Sequence, residues 1–257
     1  APYHNAQLFM KKCLVLSFVL FSVCKINAQQ NLFNIPSGDV TPKKEFFYQH
    51  QLNLYAINEL ETKSHVVYGV GRNWDVGINF IDLPLRIGNG SLLSYNDNST
   101  RKPLYPLLVA TAQKQWDLAK KLQLNTGTQI GINLSSDVDN KKLAFMNYAL
   151  LKWKGGRRGY LIGGPYLSND VFVGGPSLLQ PGYMFGYEYK VSRRWLLMGD
   201  FISGNHKKSQ SVLGAGYNLS NRLQVFAGAL LRFPNRNLQD GLVVEINWYG
   251  WNFQDKH

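Results

Sequence analysis

The sequence predicts an all-β protein, an antiparallel up-and-down transmembrane β-barrel of about twelve strands. Three observations lead there. Apolar and polar residues alternate with a period of two over most of the chain beyond residue 45, and the links between the alternating stretches sort into short and long ones. The third is a balance: apolar residues make up 45% of the 257 residues, yet the mean hydropathy is only -0.22. A bundle of membrane helices needs runs of about 20 apolar residues. A barrel in lipid dilutes its apolar residues with polar ones at every second position, which matches this balance.

The N-terminus differs from the rest. Met10-Lys11-Lys12 is followed by an almost wholly apolar stretch from Cys13 to Cys24, then by Lys25-Ile26-Asn27-Ala28-Gln29. A positive start, a short apolar run and a small residue at Ala28 predict a secretory signal peptide cleaved before Gln29. The run is too short to span a bilayer as a helix. Ala1 to Phe9 precede Met10 and are expected to lie outside the exported product. Cys24 is a candidate for acylation, but Val23 stands where a lipidated cysteine is preceded by a small residue. Both cysteines leave with the signal, so no disulfide, thiolate ligand or cysteine nucleophile is expected. Loss of Lys11, Lys12 and Lys25 lowers the net charge from +12 to +9. A basic exported protein meets acidic lipid or polysaccharide before nucleic acid, and no nucleic-acid partner is expected. The expected organisation is upstream residues plus signal over 1–28, a periplasmic N-terminal strap over 29–44, one barrel domain over 45–253 and a C-terminal tail over 254–257.

Leu122 to Leu134 shows the alternation most cleanly. Leu122, Leu124, Thr126, Thr128, Ile130, Ile132 and Leu134 share one parity, and Gln123, Asn125, Gly127, Gln129, Gly131 and Asn133 the other. A helix would need apolar residues at three- and four-residue spacings, so this is a strand. Similar reading places strands near 45–57, 64–71, 74–82, 105–114, 121–134, 142–153, 159–168, 182–190, 194–203, 210–219, 222–232 and 241–250. The stretch Leu143 to Trp153 is apolar on both parities, and its faces stay unassigned.

The links support an antiparallel meander. Gly71-Arg72-Asn73, Gln115 to Lys120, Lys154 to Arg158, Lys190 to Arg193 and Leu219 to Asn221 are short; Glu59 to Lys63, Asp82 to Leu104, Ser135 to Lys141, Ser168 to Pro181, Gly204 to Lys208 and Phe233 to Asp240 are longer or more polar. The two sets alternate, as in barrels with short turns at one rim and long loops at the other. Four short turns share a polar tip, a basic residue and a bulky apolar re-entry. Arg72, Arg193 and Arg222 are therefore candidates for lipid-headgroup contact, with Trp74 and Trp195 at the membrane interface.

Tyr68-Gly69-Val70-Gly71-Arg72-Asn73-Trp74-Asp75-Val76-Gly77-Ile78-Asn79 resembles the turn-and-strand signature of outer-membrane transporters linked to aromatic-compound degradation, within the small outer-membrane β-barrels of Gram-negative bacteria. The resemblance spans Phe46 to Trp251 in pattern and that one stretch in motif. It implies an outer-membrane location, contact with outer-membrane lipid and the outer-membrane assembly machinery, and porin-like transport. Such barrels commonly end on an aromatic residue, whereas Phe253 is followed by Gln254-Asp255-Lys256-His257.

With the apolar parity facing lipid, the candidate lumen-lining residues are Gln49, Gln51, Asn53, Asn79, Gln129, Asn133, Glu188, Asp200, Gln224 and Glu245. Glycines on the same parity, among them Gly127, Gly186, Gly214 and Gly228, either keep a passage open or let interior groups pack closely. Asp200 and Glu245 would favour cations in an open pore, or pair with Lys190 or Arg232 in a packed one. No catalytic residue is expected. His206 lies three residues from Ser203 and Ser209 but reads as a solvated loop histidine, and Gly88-Asn89-Gly90-Ser91 lacks the strand and helix of a nucleophile elbow. Asp137-Val138-Asp139 lacks the central glycine and closing glutamate of a calcium loop, so no metal and no cofactor is expected. Two functions stand: a channel or facilitated transporter for small solutes, and a closed barrel with a structural or surface-interaction role. A lipid-modifying barrel enzyme is a distant third.

Overall fold

The computed structural model describes residues 31–56, 59–86, 102–134, 142–232 and 240–251. The expected signal peptide, the Gly88 to Ser91 and Asp137 to Asp139 motifs and the C-terminal tail lie outside these residues. The strands are β1 (Phe46–Ala56), β2 (Glu59–Gly71), β3 (Trp74–Arg86), β4 (Leu107–Ala119), β5 (Leu122–Asn133), β6 (Leu143–Lys154), β7 (Gly159–Asn169), β8 (Leu179–Lys190), β9 (Trp195–Ile202), β10 (Gln210–Asn218), β11 (Leu223–Arg232) and β12 (Gly241–Trp251), with one short helix, α1 (Asp170–Val173), between β7 and β8. Each strand pairs antiparallel with its sequence neighbours, and β1 pairs with β12 from Phe46 opposite Trp251 to Leu54 opposite Leu242. The sheet is a closed twelve-stranded barrel without an edge.

Burial follows the period of two. Outward side chains form an apolar belt in which Ile78 is 60% exposed, Ile130 47%, Leu213 50% and Leu242 59%. A belt of large apolar groups round a closed barrel is what lipid contact requires, and it far exceeds the patches soluble monomers tolerate. Toward the short-turn rim, Trp74, Trp116, Trp153, Trp195 and Trp248 are all exposed. They make an aromatic girdle of which sequence reading identified only Trp74 and Trp195. The Lys114 ammonium lies 5.2 Å from the Trp74 ring and 5.0 Å from the Trp116 ring and donates to the Arg72 carbonyl. Arg72, Arg193 and Arg222 are exposed at the same rim.

Two devices close three of the short turns. Arg72 and Asn73 both have positive φ, 54° and 60°, as a two-residue hairpin matched to strand twist demands. The wider turns at 191–194 and 219–222 repeat a different device. Ser192 Oγ accepts from the backbone N–H of Arg194 and Trp195, and Ser220 Oγ accepts from those of Arg222 and Leu223. A serine that bonds the backbone two and three residues on closes each turn locally.

Several boundaries move. Glu59 to Lys63, expected as a long outer loop, is the start of β2, paired from Leu60 opposite Leu54 to Lys63 opposite Gln51. The β1–β2 link is thus short and breaks the alternation of link lengths. Gln115 to Ala119 belong to β4, leaving 120–121 as the turn. Within Ser168 to Pro181, expected as an exterior loop, β7 runs to Asn169 and α1 follows, with Val171, Phe172 and Val173 buried in the interior cluster. The Asn169 side chain caps α1 by accepting from the Phe172 N–H, so the segment turns inward over the lumen.

The interior is filled by the chain itself. The strap expected at 29–44 does not stay outside the barrel: from Thr41 back to Asn31 it runs up the lumen, with Leu32 0%, Phe33 2% and Ile35 0% exposed. A Cβ on Gly186 would lie 2.3 Å from Leu32 Cδ1, and one on Gly214 would lie 2.6 Å from Phe33 Cζ. These inward glycines make room for the strap. The same packing assigns the faces of β6: Ala144, Met146, Tyr148, Leu150 and Lys152 point inward, while Leu143, Leu151 and Trp153 are exposed to lipid. β6 is apolar on both parities because one side meets lipid and the other meets this interior cluster.

Arginine at an outward position should be far worse than at its inward neighbour. Ile130→Arg, in the apolar belt, should cost up to about 2–4 kcal/mol, the value at the bilayer midplane, and should lower refolding yield into lipid vesicles well below that of Gln129→Arg.

Candidate functional site

The lumen is built from a polar arc, carried mostly by β1–β5, and an apolar arc, carried mostly by β6–β11, with the strap between them. Strap backbone and side chains are held by inward polar groups at successive heights. Near the short-turn rim the Thr41 N–H donates to Asp75 at 2.9 Å. Further in, Lys152 Nζ pairs with Asp39 at 2.5 Å and Gln113 donates to the Asp39 carbonyl at 2.8 Å. Lys152 is 1% exposed, so its charge depends on this partner. Higher still, the Asp200 carboxylate accepts from the backbone N–H groups of Asn34 and Ile35, and Asn31 donates to Gln49 at 2.6 Å.

Beside the upper end of the strap a cavity of about 110 Å³ remains. Gln49, Gln51, Asn79 and Gln129 line it, as do Asn34, Lys63, His65, Lys208 and Gln210. Its other wall is apolar, with Phe33, Met146, Phe172 and Ile202. The remaining predicted residues are inward but elsewhere. Asn53 bonds Gln51, Tyr55 and Glu61; Asn133 accepts from the Lys142 N–H; Gln224 bonds Asn218 and Tyr249; Glu245 accepts from Asn247. Glu188 is 4% exposed on the inner face of β8. The predicted carboxylates therefore do not gather on one path, and Asp200 is spent on the strap.

Above the cavity sits an ion network. Lys208, in the link between β9 and β10, pairs with Asp82 and lies 3.8 Å from Glu61, while Lys63 lies 3.7 Å from the same Glu61 oxygen. Asp82 reaches inward from an irregularity in the β2–β3 pairing, where its φ is 57° and the register shifts between Thr62 and Ser64. A bulge re-aims a side chain in this way. Burial alone would push the Lys208 ammonium down, but the Asp82 and Glu61 carboxylates outweigh it and hold Lys208 above its usual value. Its contribution to stability is therefore complete below the ordinary lysine pKa and is lost only as alkali passes the raised value.

His206 corrects its sequence reading: it is 2% exposed rather than solvated. Tyr166 bonds its Nε2, Ser209 lies 3.3 Å from its Nδ1, and Ser209 Oγ itself donates to the Gly204 carbonyl at 2.7 Å. With Ser209 at 0% exposure, the group fixes the 203–209 link and presents no nucleophile to a substrate. Among the described residues there is no group of three or more metal-ligating side chains.

These features define a transmembrane β-barrel that holds the segment before β1 inside its lumen. Comparison with known proteins adds loose likenesses. The chain is similar to an outer-membrane channel from Pseudomonas putida F1, at 12% identity over 83% of this chain and 97% of that one, with a TM-score of 0.48. It is similar to Salmonella typhi OmpF, solved with daunomycin, at 6% identity over 80% and 96%, with a TM-score of 0.43. A Pseudomonas aeruginosa FadL homologue gives 8% identity over 80% and 89%, with a TM-score of 0.37. No family model matches the chain, and no curated protein matches it. The fold assignment rests on the strand pairing and the lipid-facing belt described above.

Removal of one ion-pair member tests the network. Lys208→Met leaves Asp82, 2% exposed, without its cation and should cost about 3–5 kcal/mol, read as a lower unfolding temperature in gel-shift assays. Lys208→Met combined with Asp82→Asn should recover most of the loss.

Proposed function

We propose that this protein is an outer-membrane barrel of a Gram-negative bacterium that conducts small polar solutes through a lumen narrowed by its own N-terminal segment. The observation that carries this reading is the luminal cavity lined by inward amides on the polar arc, beside a strap held by hydrogen bonds and one ion pair. A wall meant only to pack would carry apolar groups there, as the β6–β11 arc does. Outer-membrane lipid at the aromatic girdle and the outer-membrane assembly machinery are the partners this reading requires. His206 and Ser209 are buried in the 203–209 link and lend no support to the enzyme reading. The Tyr68 to Asn79 stretch forms the β2–β3 hairpin, and its turn, its exposed Trp74 and its strap contact through Asp75 account for its residues. Its likeness to transporters of aromatic degradation therefore bears on architecture rather than on solute.

A second reading, a closed barrel with a structural or surface-interaction role, draws support from the complete burial of Leu32 and Ile35 among interior apolar groups.

Planar-bilayer recordings separate the two. On the conduit reading the mature protein gives small single-channel steps, and deletion of residues 31–38 raises their conductance several-fold. A folded, heat-modifiable barrel that stays silent with and without the strap supports the closed reading and overturns the first.

A further inference from the structure

The luminal cavity has unmet hydrogen-bonding capacity. Among the side-chain amide atoms lining it that lack a hydrogen-bond partner are Asn34 Nδ2 and Gln49 Nε2, which donate, and Gln129 Oε1 and Gln210 Oε1, which accept. Gln49 is 4% exposed and Gln210 2%, so neither reaches bulk solvent. Leaving such groups unpaired costs about 1–3 kcal/mol apiece, which a bound molecule would recover.

The chemistry of that molecule follows from what the cavity offers. Charge there is already matched: Lys63 and Lys208 face Glu61 and Asp82, with Lys63 at 3.7 Å and Lys208 at 3.8 Å from Glu61 and Lys208 also on Asp82. Lys63 gives a further hydrogen bond to Asn34 Oδ1 at 3.2 Å. An added anion would meet lysines already engaged by carboxylates, and an added cation would meet no carboxylate on the lining, so neither gains an ion pair to offset its lost hydration. A carboxylate only accepts and an ammonium only donates, whereas a hydroxyl does both and serves either kind of amide atom. The opposite wall, with Met146 and Phe172, suits C–H groups rather than more polar ones. A cavity of about 110 Å³ has the volume of roughly three or four waters.

We propose that the luminal cavity is a binding site for a small neutral polyol of three or four carbons, held by Asn34, Gln49, Gln129 and Gln210. This names the solute class of the conduit proposed above and rests on that reading for its physiological role.

The test uses the full mature chain in detergent, with erythritol as probe. Saturation-transfer NMR should show saturable erythritol binding that propionate and ethylammonium do not compete away. Gln129→Leu with Gln210→Leu should weaken it at least tenfold while the barrel remains heat-modifiable. If the pair fails to fold, Gln129→Leu alone should weaken binding severalfold. Absence of saturable binding, equal competition by propionate, or unchanged affinity in the folded variants overturns the site. Erythritol-driven swelling of proteoliposomes separates the two proposals. Swelling without saturable binding overturns the site and keeps the conduit. Saturable, variant-sensitive binding without swelling keeps the site and overturns the conduit.

Discussion

The pairing of β1 with β12 is the constraint on which the rest of the molecule depends. Hydrocarbon offers no hydrogen-bond partner, so a spanning sheet must satisfy its backbone within itself, and only closure leaves no strand unpaired. Closure then divides every strand into an outward and an inward parity. That division inverts the usual placement of residues: Ile78, Leu213 and Leu242 are exposed, while Gln49, Asn53 and Asn247 are buried. The girdle of Trp74, Trp116, Trp153, Trp195 and Trp248 follows from the same geometry, because each stands outward near the rim where the strands turn.

Closure with twelve strands also creates a space that wall side chains cannot fill. About eight strands suffice for side chains to occupy the interior, and wider barrels hold a lumen or a plug. Here the segment from Asn31 to Thr41 takes that space, and its demands are written into the wall. Gly186 and Gly214 lack side chains where Leu32 and Phe33 sit, Lys152 is matched to Asp39, and Asp200 binds two backbone N–H groups. The apolar arc surrounds the apolar part of the strap. The amide arc is left with a cavity and unpaired hydrogen-bonding groups, and the proposed solute site rests on this asymmetry.

The ion network at the long-loop rim adds a second closure. Asp82 is brought inward by a local irregularity in strand pairing and meets Lys208 from a distant link, while Val171, Phe172 and Val173 of α1 fold in over the interior cluster. Lys208 and α1 come from links between strands, yet Lys208 ends on a buried carboxylate and α1 ends buried in the interior cluster. Polar groups in such links find partners inside the barrel because the lumen offers carboxylates and amides that lipid-facing surfaces do not.

Sequence alone determined what depends on local periodicity. The parity of Leu122 to Asn133 set which residues face lipid, the turn residues Arg72 and Asn73 marked a tight hairpin, and the inward amides Gln49, Gln51, Asn79 and Gln129 followed from alternation. Gln210 was equally legible, since it shares the parity of the inward Gly214. Lys63 was hidden because charged residues from Glu59 to Lys63 read as a loop, whereas a buried network can accommodate them within a strand. Asn34 was hidden because a segment without alternation carries no sign of where it packs. The faces of Leu143 to Lys154, the course of the strap and the meeting of Asp82 with Lys208 were decided by tertiary structure. Each depends on contacts between residues far apart in the chain, and a period of two records which side a residue takes but not what waits there.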